Sequence, residues 1–116
     1  MLIFNLKKCW FDKIRSGEKK IEFREIKPFW TSRLRNEGCL PKDGKSFVWE
    51  SDKKSVLPIL CLFRNGYTRR AISARITKVE IVDGRTTDLA VNAPVYAIHF
   101  TDTREVGVTD ETKESV

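Results

Sequence analysis

Apolar and polar residues alternate through Leu2-Ile3-Phe4-Asn5-Leu6-Lys7, placing Leu2, Phe4 and Leu6 on one side of an extended chain. A period of two is that of a strand with one face buried. The period then lengthens. Trp10, Phe11 and Ile14 share one side of a helical wheel and Asp12, Lys13 and Arg15 the other, which predicts a short helix over residues 9–16. Gly17 is its stop, since glycine adopts at little cost the left-handed conformation that closes a helix. From Lys20 onward the period is two again, with Ile21 and Phe23 facing one way and Lys20, Glu22 and Arg24 the other. Glu22 and Arg24 therefore stand on one face, roughly 7 Å apart at their bases. They are close enough to pair or to reach one ligand together.

A second helix is predicted from Pro28, a favoured first helical residue, to the neighbourhood of Gly38. Trp30 and Leu34 lie four apart on it with Phe29 beside them, so it is expected to cap a barrel and to carry Arg33 and Arg35 on its outer side. Residues 36–56 read as an excursion. Asn36, Gly38, Pro41, Asp43 and Gly44 are turn formers, Lys42 to Lys54 is polar, and Ser46-Phe47-Val48-Trp49-Glu50 makes a short strand within it.

Val56 to Phe63 is a nearly continuous apolar run, the pattern of a strand covered on both faces. Pro58 has no amide to give a ladder and belongs at its start or on an edge. Arg64-Asn65-Gly66-Tyr67 is the turn after it. Ala71 to Val82 returns as a long strand whose apolar positions change phase, from Ile72, Ala74 and Ile76 to Val79 and Ile81; a bulge near Thr77-Lys78 accounts for the change. Asp83-Gly84 turns again, and Val95 to Phe100 closes the sheet with Tyr96, Ile98 and Phe100 on one face. Residues 103–116 are expected to form an acidic, flexible tail to a single domain over residues 1–102. Five to six strands with two short, early helices make an α+β chain of small mixed-barrel type.

A length of 116 residues with 41% hydrophobic and 10% aromatic content suits one domain with a core of its own. No apolar run approaches the roughly 20 residues that cross a bilayer, so no membrane role is expected. The three cysteines, Cys9, Cys39 and Cys61, are odd in number and lack metal-ligand spacing, which suits a reducing, cytoplasmic setting. The net charge of +6 is unevenly spread: residues 101–116 hold five acids and two bases, which leaves +9 on residues 1–100. A basic body attracts polyanions, nucleic acid first, although solubility alone selects for the same charge. Candidate phosphate contacts are Lys7, Lys8, Lys19, Lys20, Arg24, Arg64, Arg69, Arg70 and Arg75. Tyr67, in the turn before Arg69 and Arg70, either stacks an unpaired base or packs on the barrel rim. His99 is the only histidine and sits in the closing strand, too little material for a catalytic triad or a histidine-rich metal site. With no glycine-rich phosphate loop and no Cys-x-x-Cys, no metal and no cofactor are expected.

Gly17, Lys19, Glu22 and Arg24 spell Gly-x-Lys-x-x-Glu-x-Arg between the first helix and the strand that follows. Together with the opening strand, the Trp10-Phe11-Asp12-Lys13-Ile14 helix and the Phe63-Arg64-Asn65-Gly66-Tyr67 segment, this resembles the ASCH domains of phage and bacteria, a branch of the PUA-like small β-barrels. The resemblance implies a PUA-like fold and a cleft between the barrel wall and the first helix. In that cleft Lys19 would donate, Glu22 would accept, and Arg24 would fix Glu22 or take an anion. Strand alternation sets Lys19 on the face opposite Glu22, so their convergence requires a twist or bulge where the strand begins.

The implied ligand is RNA or a modified base or nucleotide, held by Lys19, Glu22, Arg24, Trp10, Arg64, Asn65, Tyr67, Arg69 and Arg70. Some ASCH-like proteins hydrolyse the amide of an acetylated cytidine with a lysine and a threonine of this strand. Lys19 matches that lysine and Glu22 stands at the threonine position, which would make Lys19 and Glu22 the catalytic pair of a small amidohydrolase. A third reading is a protein-interaction module that uses residues 36–56. The purely structural reading of the motif is an inward ion pair of Glu22 with Arg24 or Lys19 that holds the barrel shut.

Overall fold

The computed structural model describes residues 1–43, 45–51, 58–66 and 68–106. Among them six strands form one mixed sheet, curled into a half-barrel, accompanied by two α-helices. The strands are β1 (Leu2–Leu6), β2 (Ile21–Glu25), β3 (Trp49–Glu50), β4 (Ile59–Asn65), β5 (Ala71–Asp83) and β6 (Pro94–Val106); the helices are α1 (Lys8–Arg15) and α2 (Pro28–Asn36). The sheet order is β1-β4-β5-β6-β2, with β3 paired to β5 off that path. β1 runs parallel to β4, and β2, β3, β4 and β5 make antiparallel ladders with their other neighbours. No helix among the described residues is long and apolar enough to cross a membrane.

The alternation in β1 is expressed as drawn: Leu2, Phe4 and Leu6 are buried while Ile3 and Asn5 are exposed. They meet Phe63 and Cys61 from β4, Ile72, Ala74, Ile76 and Val79 from β5, and Tyr96, Ile98 and Phe100 from β6 in one core. Phe11 and Ile14 from α1 and Leu34 from α2 close the same core, and Trp10 and Trp30 pack against its edge. Trp30 stacks on Phe4 with ring centres 5.1 Å apart, which lays α2 against the inner face of β1. The core residue Tyr96 keeps its hydroxyl satisfied at 2.6 Å from Thr31 Oγ1, a second tie between α2 and the sheet.

Gly17 and Gly38 both sit at φ +84°, just past the ends of α1 and α2. After α2 the amides of Gly38 and Cys39 donate to the carbonyls of Arg35 and Leu34, the bonding of a Schellman closure. After α1 the chain loops one residue further, and Lys19 N donates to Lys13 O at 3.0 Å before β2 begins at Ile21.

Several sequence expectations need correcting. β4 is not covered on both faces: Cys61 and Phe63 are buried but Leu60 is 44% exposed, so it alternates like a one-sided strand. β6 does not stop at Phe100 but continues to Val106, laddered to Ala71–Ser73 of β5. Its last residues are polar and exposed, so backbone pairing rather than burial carries them, and hydrophobicity gave no sign of it. The anticipated bulge is present between Ile76 and Lys78, and a second register shift falls between Ser73 and Arg75. The strand at residues 46–50 shrinks to Trp49–Glu50. Arg35 points inward: its Nε and Nη2 donate to the Pro41 and Ser46 carbonyls at 3.2 and 3.0 Å, tying Pro41 and Ser46 to α2. Phe29 is an outer residue, 55% exposed, with the Arg33 guanidinium over its ring. Gly44, residues 52–57, Tyr67 and residues 107–116 lie outside the described residues, so the expectations for Tyr67, for residues 44 and 52–56 of the 36–56 excursion and for the tail past Val106 fall there.

Candidate binding cleft

β1 and β2 are the two ends of the sheet order, and no ladder joins them among the described residues. The half-barrel stays open along this seam. A cavity of about 290 Å³ occupies it, lined from β1 and its end by Asn5, Leu6 and Lys7, from α1 by Trp10, and from the chain running into and through β2 by Lys19, Glu22, Phe23, Arg24 and Glu25. Lys27 and Trp30 from the start of α2, and Asp88 and Leu89 from the β5–β6 connection, complete it. This volume is near the lower end of the range for small-ligand clefts, roughly 300 Å³ upward.

Glu22 is the one buried charged side chain among the described residues, 3% exposed. Its partners are cations on either side. Lys19 Nζ lies 3.0 Å from Oε1, while Arg24 Nε and Nη2 lie 2.9 and 2.7 Å from Oε2. Lys19 Nζ also donates to Asp88 Oδ2, and Arg24 Nη2 makes a longer contact, 3.5 Å, to the Asn5 carbonyl across the seam. The cations lie on aromatic rings: Lys19 is 4.8 Å from the centre of Trp10 and 5.7 Å from that of Phe23, Arg24 4.9 Å from Trp30 and 5.2 Å from Phe4. Rings present a negative face to each cation and displace water from the ion pairs, which strengthens both kinds of contact.

How Lys19 reaches Glu22 has a local cause. Lys19 is in the turn, not in the strand, so the strand's alternation does not govern it. Gly17 in the left-handed region and the Lys19 N–H to Lys13 carbonyl bond swing its side chain toward the face that Glu22 and Arg24 share. Asp88 is placed by a tight turn. Gly84 N donates to the Ala93 carbonyl at 2.8 Å, and the Gly84 carbonyl accepts from Thr87 N and Val91 N, both at 3.3 Å, closing the 84–93 connection on itself. A side chain at Gly84 has no room, because a Cβ there would stand 2.8 Å from the Val91 carbonyl oxygen.

Lys19, Glu22, Arg24 and Trp10 are thus brought together. Arg64, Asn65, Arg69 and Arg70 do not line the cavity. The β4–β5 turn is held on the far side of β1: Gly66 N donates to the Leu6 carbonyl, on the β4 side, whereas the Asn5 carbonyl next to it faces Arg24. The Asn65 backbone closes that turn, its main-chain carbonyl accepting from Thr68 N and Oγ1 at 3.0 and 2.7 Å. Arg70 pairs with Glu105 at 3.3 Å and covers the Phe11 ring. Of the other candidate phosphate contacts, Lys7 lines the cavity, Lys8 pairs with Asp12, and Arg75 pairs with Asp102.

Compared with protein-family models, with curated proteins and with solved structures, the chain gives no match. The site is therefore read from its own chemistry.

Among the lining groups that the sequence did not point to, three belong to the donor–acceptor row or its aromatic walls. Asp88 stands in an unremarkable Thr-Thr-Asp-Leu stretch with no periodic signal. The Asn5 carbonyl is backbone and invisible in any residue list. Trp30 had a signal, an aromatic one turn from Leu34, but that pattern reads as helix packing. His99, outside the cleft, pairs with Glu80 at 2.6 Å on the sheet. The imidazole and Lys78 hold the Glu80 carboxyl below its usual range even though burial pushes it up. Among the described residues no group of three or more His, Cys, Asp or Glu could hold a metal ion.

Proposed function

We propose that the seam between β1 and β2 binds a flat, polar heterocycle of nucleobase type, presented by single-stranded RNA or as a nucleotide, in a PUA-like domain of ASCH kind. One observation carries this reading. Asp88, Lys19, Glu22, Arg24 and the Asn5 carbonyl form a row in which acceptor and donor alternate, with an indole against each cation. The row is not saturated. An ammonium has three protons and Lys19 directs two at carboxylates; a guanidinium has five and Arg24 Nη1 is not used on Glu22; Oε1 of Glu22 takes a single cation. A base edge carries donors and acceptors in the complementary order, and its faces suit aromatic walls. A purely structural ion pair is a poorer account, because taking these charges out of water costs more than an apolar seam of the same volume would.

Binding suits the cleft better than hydrolysis. Both Glu22 oxygens already accept from cations, and no lining side chain is a Ser, Thr or Cys nucleophile. The amidohydrolase reading draws on Asp88 instead, which Lys19 holds at the cavity wall and which would serve as the base for water. Release of acetate from acetylated cytidine, abolished by Asp88→Asn, would favour it over simple binding. The primary test is titration of single-stranded RNA while salt is raised. Affinity is expected to fall steeply with salt and to drop about tenfold or more in Arg24→Ala, which removes a charge-assisted contact. Flat salt dependence, or no binding at low salt, would overturn the reading.

A further inference from the structure

The cavity is one of two hollows that share a wall. The second, about 420 Å³, is lined by Lys13, Glu18, Lys20 and Ile21 and shares Trp10, Lys19, Phe23 and Asp88 with the first. The Lys19–Asp88 ion pair is the bar between them.

Their linings carry similar formal charge, Lys7, Lys19, Arg24 and Lys27 against Glu22, Glu25 and Asp88 in the first and Lys13, Lys19 and Lys20 against Glu18 and Asp88 in the second, but the charges are placed differently. In the first hollow Lys19 and Arg24 both serve the buried Glu22 carboxylate, so a negative charge brought there meets Glu22 at close range. The second contributes two ammonium groups, Lys13 and Lys20, that form no ion pair with a carboxylate of the described residues; Lys13 Nζ rests on the Trp10 ring, 4.9 Å from its centre. Trp10 thus carries one ammonium from Lys13 and another from Lys19 at 4.8 Å. Like charges held this close on one ring invite an anion to sit between or beside them. Two carboxylates oppose them at the same hollow: Asp88, which is paired with Lys19, and Glu18, which is exposed.

We infer that the second hollow is a phosphate subsite. The ligand is a nucleoside monophosphate, or one nucleotide of a strand, whose neutral base enters the first hollow and whose phosphate crosses the Lys19–Asp88 bar to Lys13 and Lys20. This rests on the base-binding reading only for what fills the first hollow. A ligand that is neutral at one end and anionic at the other uses both hollows without placing its charge against Glu22.

The test is calorimetric titration with the four nucleosides, their 5′- and 3′-monophosphates, and inorganic phosphate. The expected result is that a nucleoside gains about tenfold in affinity when it carries a phosphate, the gain of one charge-assisted contact. In Lys13→Ala/Lys20→Ala the ratio of nucleoside to nucleotide Kd is expected to fall to about one, and in Glu18→Gln to rise, as removal of a like charge requires. Both sites are exposed, and an unchanged melting temperature shows that the variants are folded. Nucleotides that bind through Lys13 and Lys20 while no nucleoside binds would sink the base-binding reading and leave the phosphate subsite standing. A phosphate that adds nothing, a gain that survives the double substitution, or no binding of any probe would overturn the inference.

Discussion

Replacing Glu22 with Gln isolates the charge at the centre of the cleft. The carboxylate makes three short contacts to cations, at 3.0, 2.9 and 2.7 Å, and is 3% exposed. Breaking a buried pair by neutralising one member costs about 3–5 kcal/mol, because the partner charge is left behind in a poorly solvated place. Two features reduce the cost here: Lys19 keeps Asp88, and the amide oxygen of Gln still accepts from one cation. The amide nitrogen, however, turns a donor toward the other. The expected loss is about 3 kcal/mol, or roughly 10 °C in Tm for a domain of this size, read by urea denaturation with an unchanged slope. A loss under about 1 kcal/mol would refute the reasoning, since it would mean that water already reaches the site. A triple replacement, Lys19→Met, Glu22→Leu and Arg24→Met, separates structure from function. Removing all three charges also removes their desolvation cost, so stability is expected within about 2 kcal/mol of the parent while ligand binding is lost. A triple variant less stable than Glu22→Gln would show that the charges serve the fold.

Three further outcomes are expected. Gly84→Ala must push the 84–93 turn off Val91, whose Cγ2 and carbonyl oxygen would be 2.7 and 2.8 Å from the new Cβ; a loss of about 1–3 kcal/mol in denaturation follows, and an unchanged midpoint contradicts it. Burial pushes the Cys39 and Cys61 thiols up to about 12, whereas Cys9 is exposed. A thiol-reactive disulfide at pH 8 should therefore titrate one thiol rapidly in the native protein and all three in denaturant, with rapid native reaction of all three as the contrary result. Hydrogen bonds from Ser46 N, Lys45 N and Ser46 Oγ hold the Asp43 carboxyl down from its ordinary 3.8 to about 2. Its folded value lies below its unfolded one, so the turn's stabilisation is present above about 3.8 and is lost as pH falls through about 2. A carboxyl NMR titration centred near 3.8 would contradict this.

The parts of the fold that obey a period were legible. β1, α1 and the start of β2 follow from Leu2, Phe4, Leu6, Trp10, Phe11 and Ile14, and the phase change between Ile76 and Val79 marked the register shift at Lys78. The polar end of β6 was hidden because its pairing with Ala71–Ser73 relies on backbone hydrogen bonds, which have no hydrophobic signature. The site was half legible. Glu22 and Arg24 stand out by spacing and Lys19 only by the family resemblance, and the apparent conflict of faces between Lys19 and Glu22 disappears once Lys19 is seen in the turn after Gly17. Asp88 arrives from 69 residues away through a turn set by Gly84, a long-range contact that no local pattern encodes. Arg64, Asn65, Arg69 and Arg70 enter the expected site through the family resemblance and the basic turn after Phe63, yet they do not line the cavity, and that turn bonds β1 on the side away from it.

The most direct measurement follows the three indole N–H resonances during titration with nucleoside monophosphates. Trp10 and Trp30 line the cleft, while Trp49 pairs with Val79 of β5 away from it. The account predicts that Trp10 and Trp30 shift together with Arg24 Nε and saturate with one affinity, and that Trp49 stays in place. Movement of Trp49 alone, or a bound nucleotide that leaves Trp10, Trp30 and Arg24 unmoved, would contradict it.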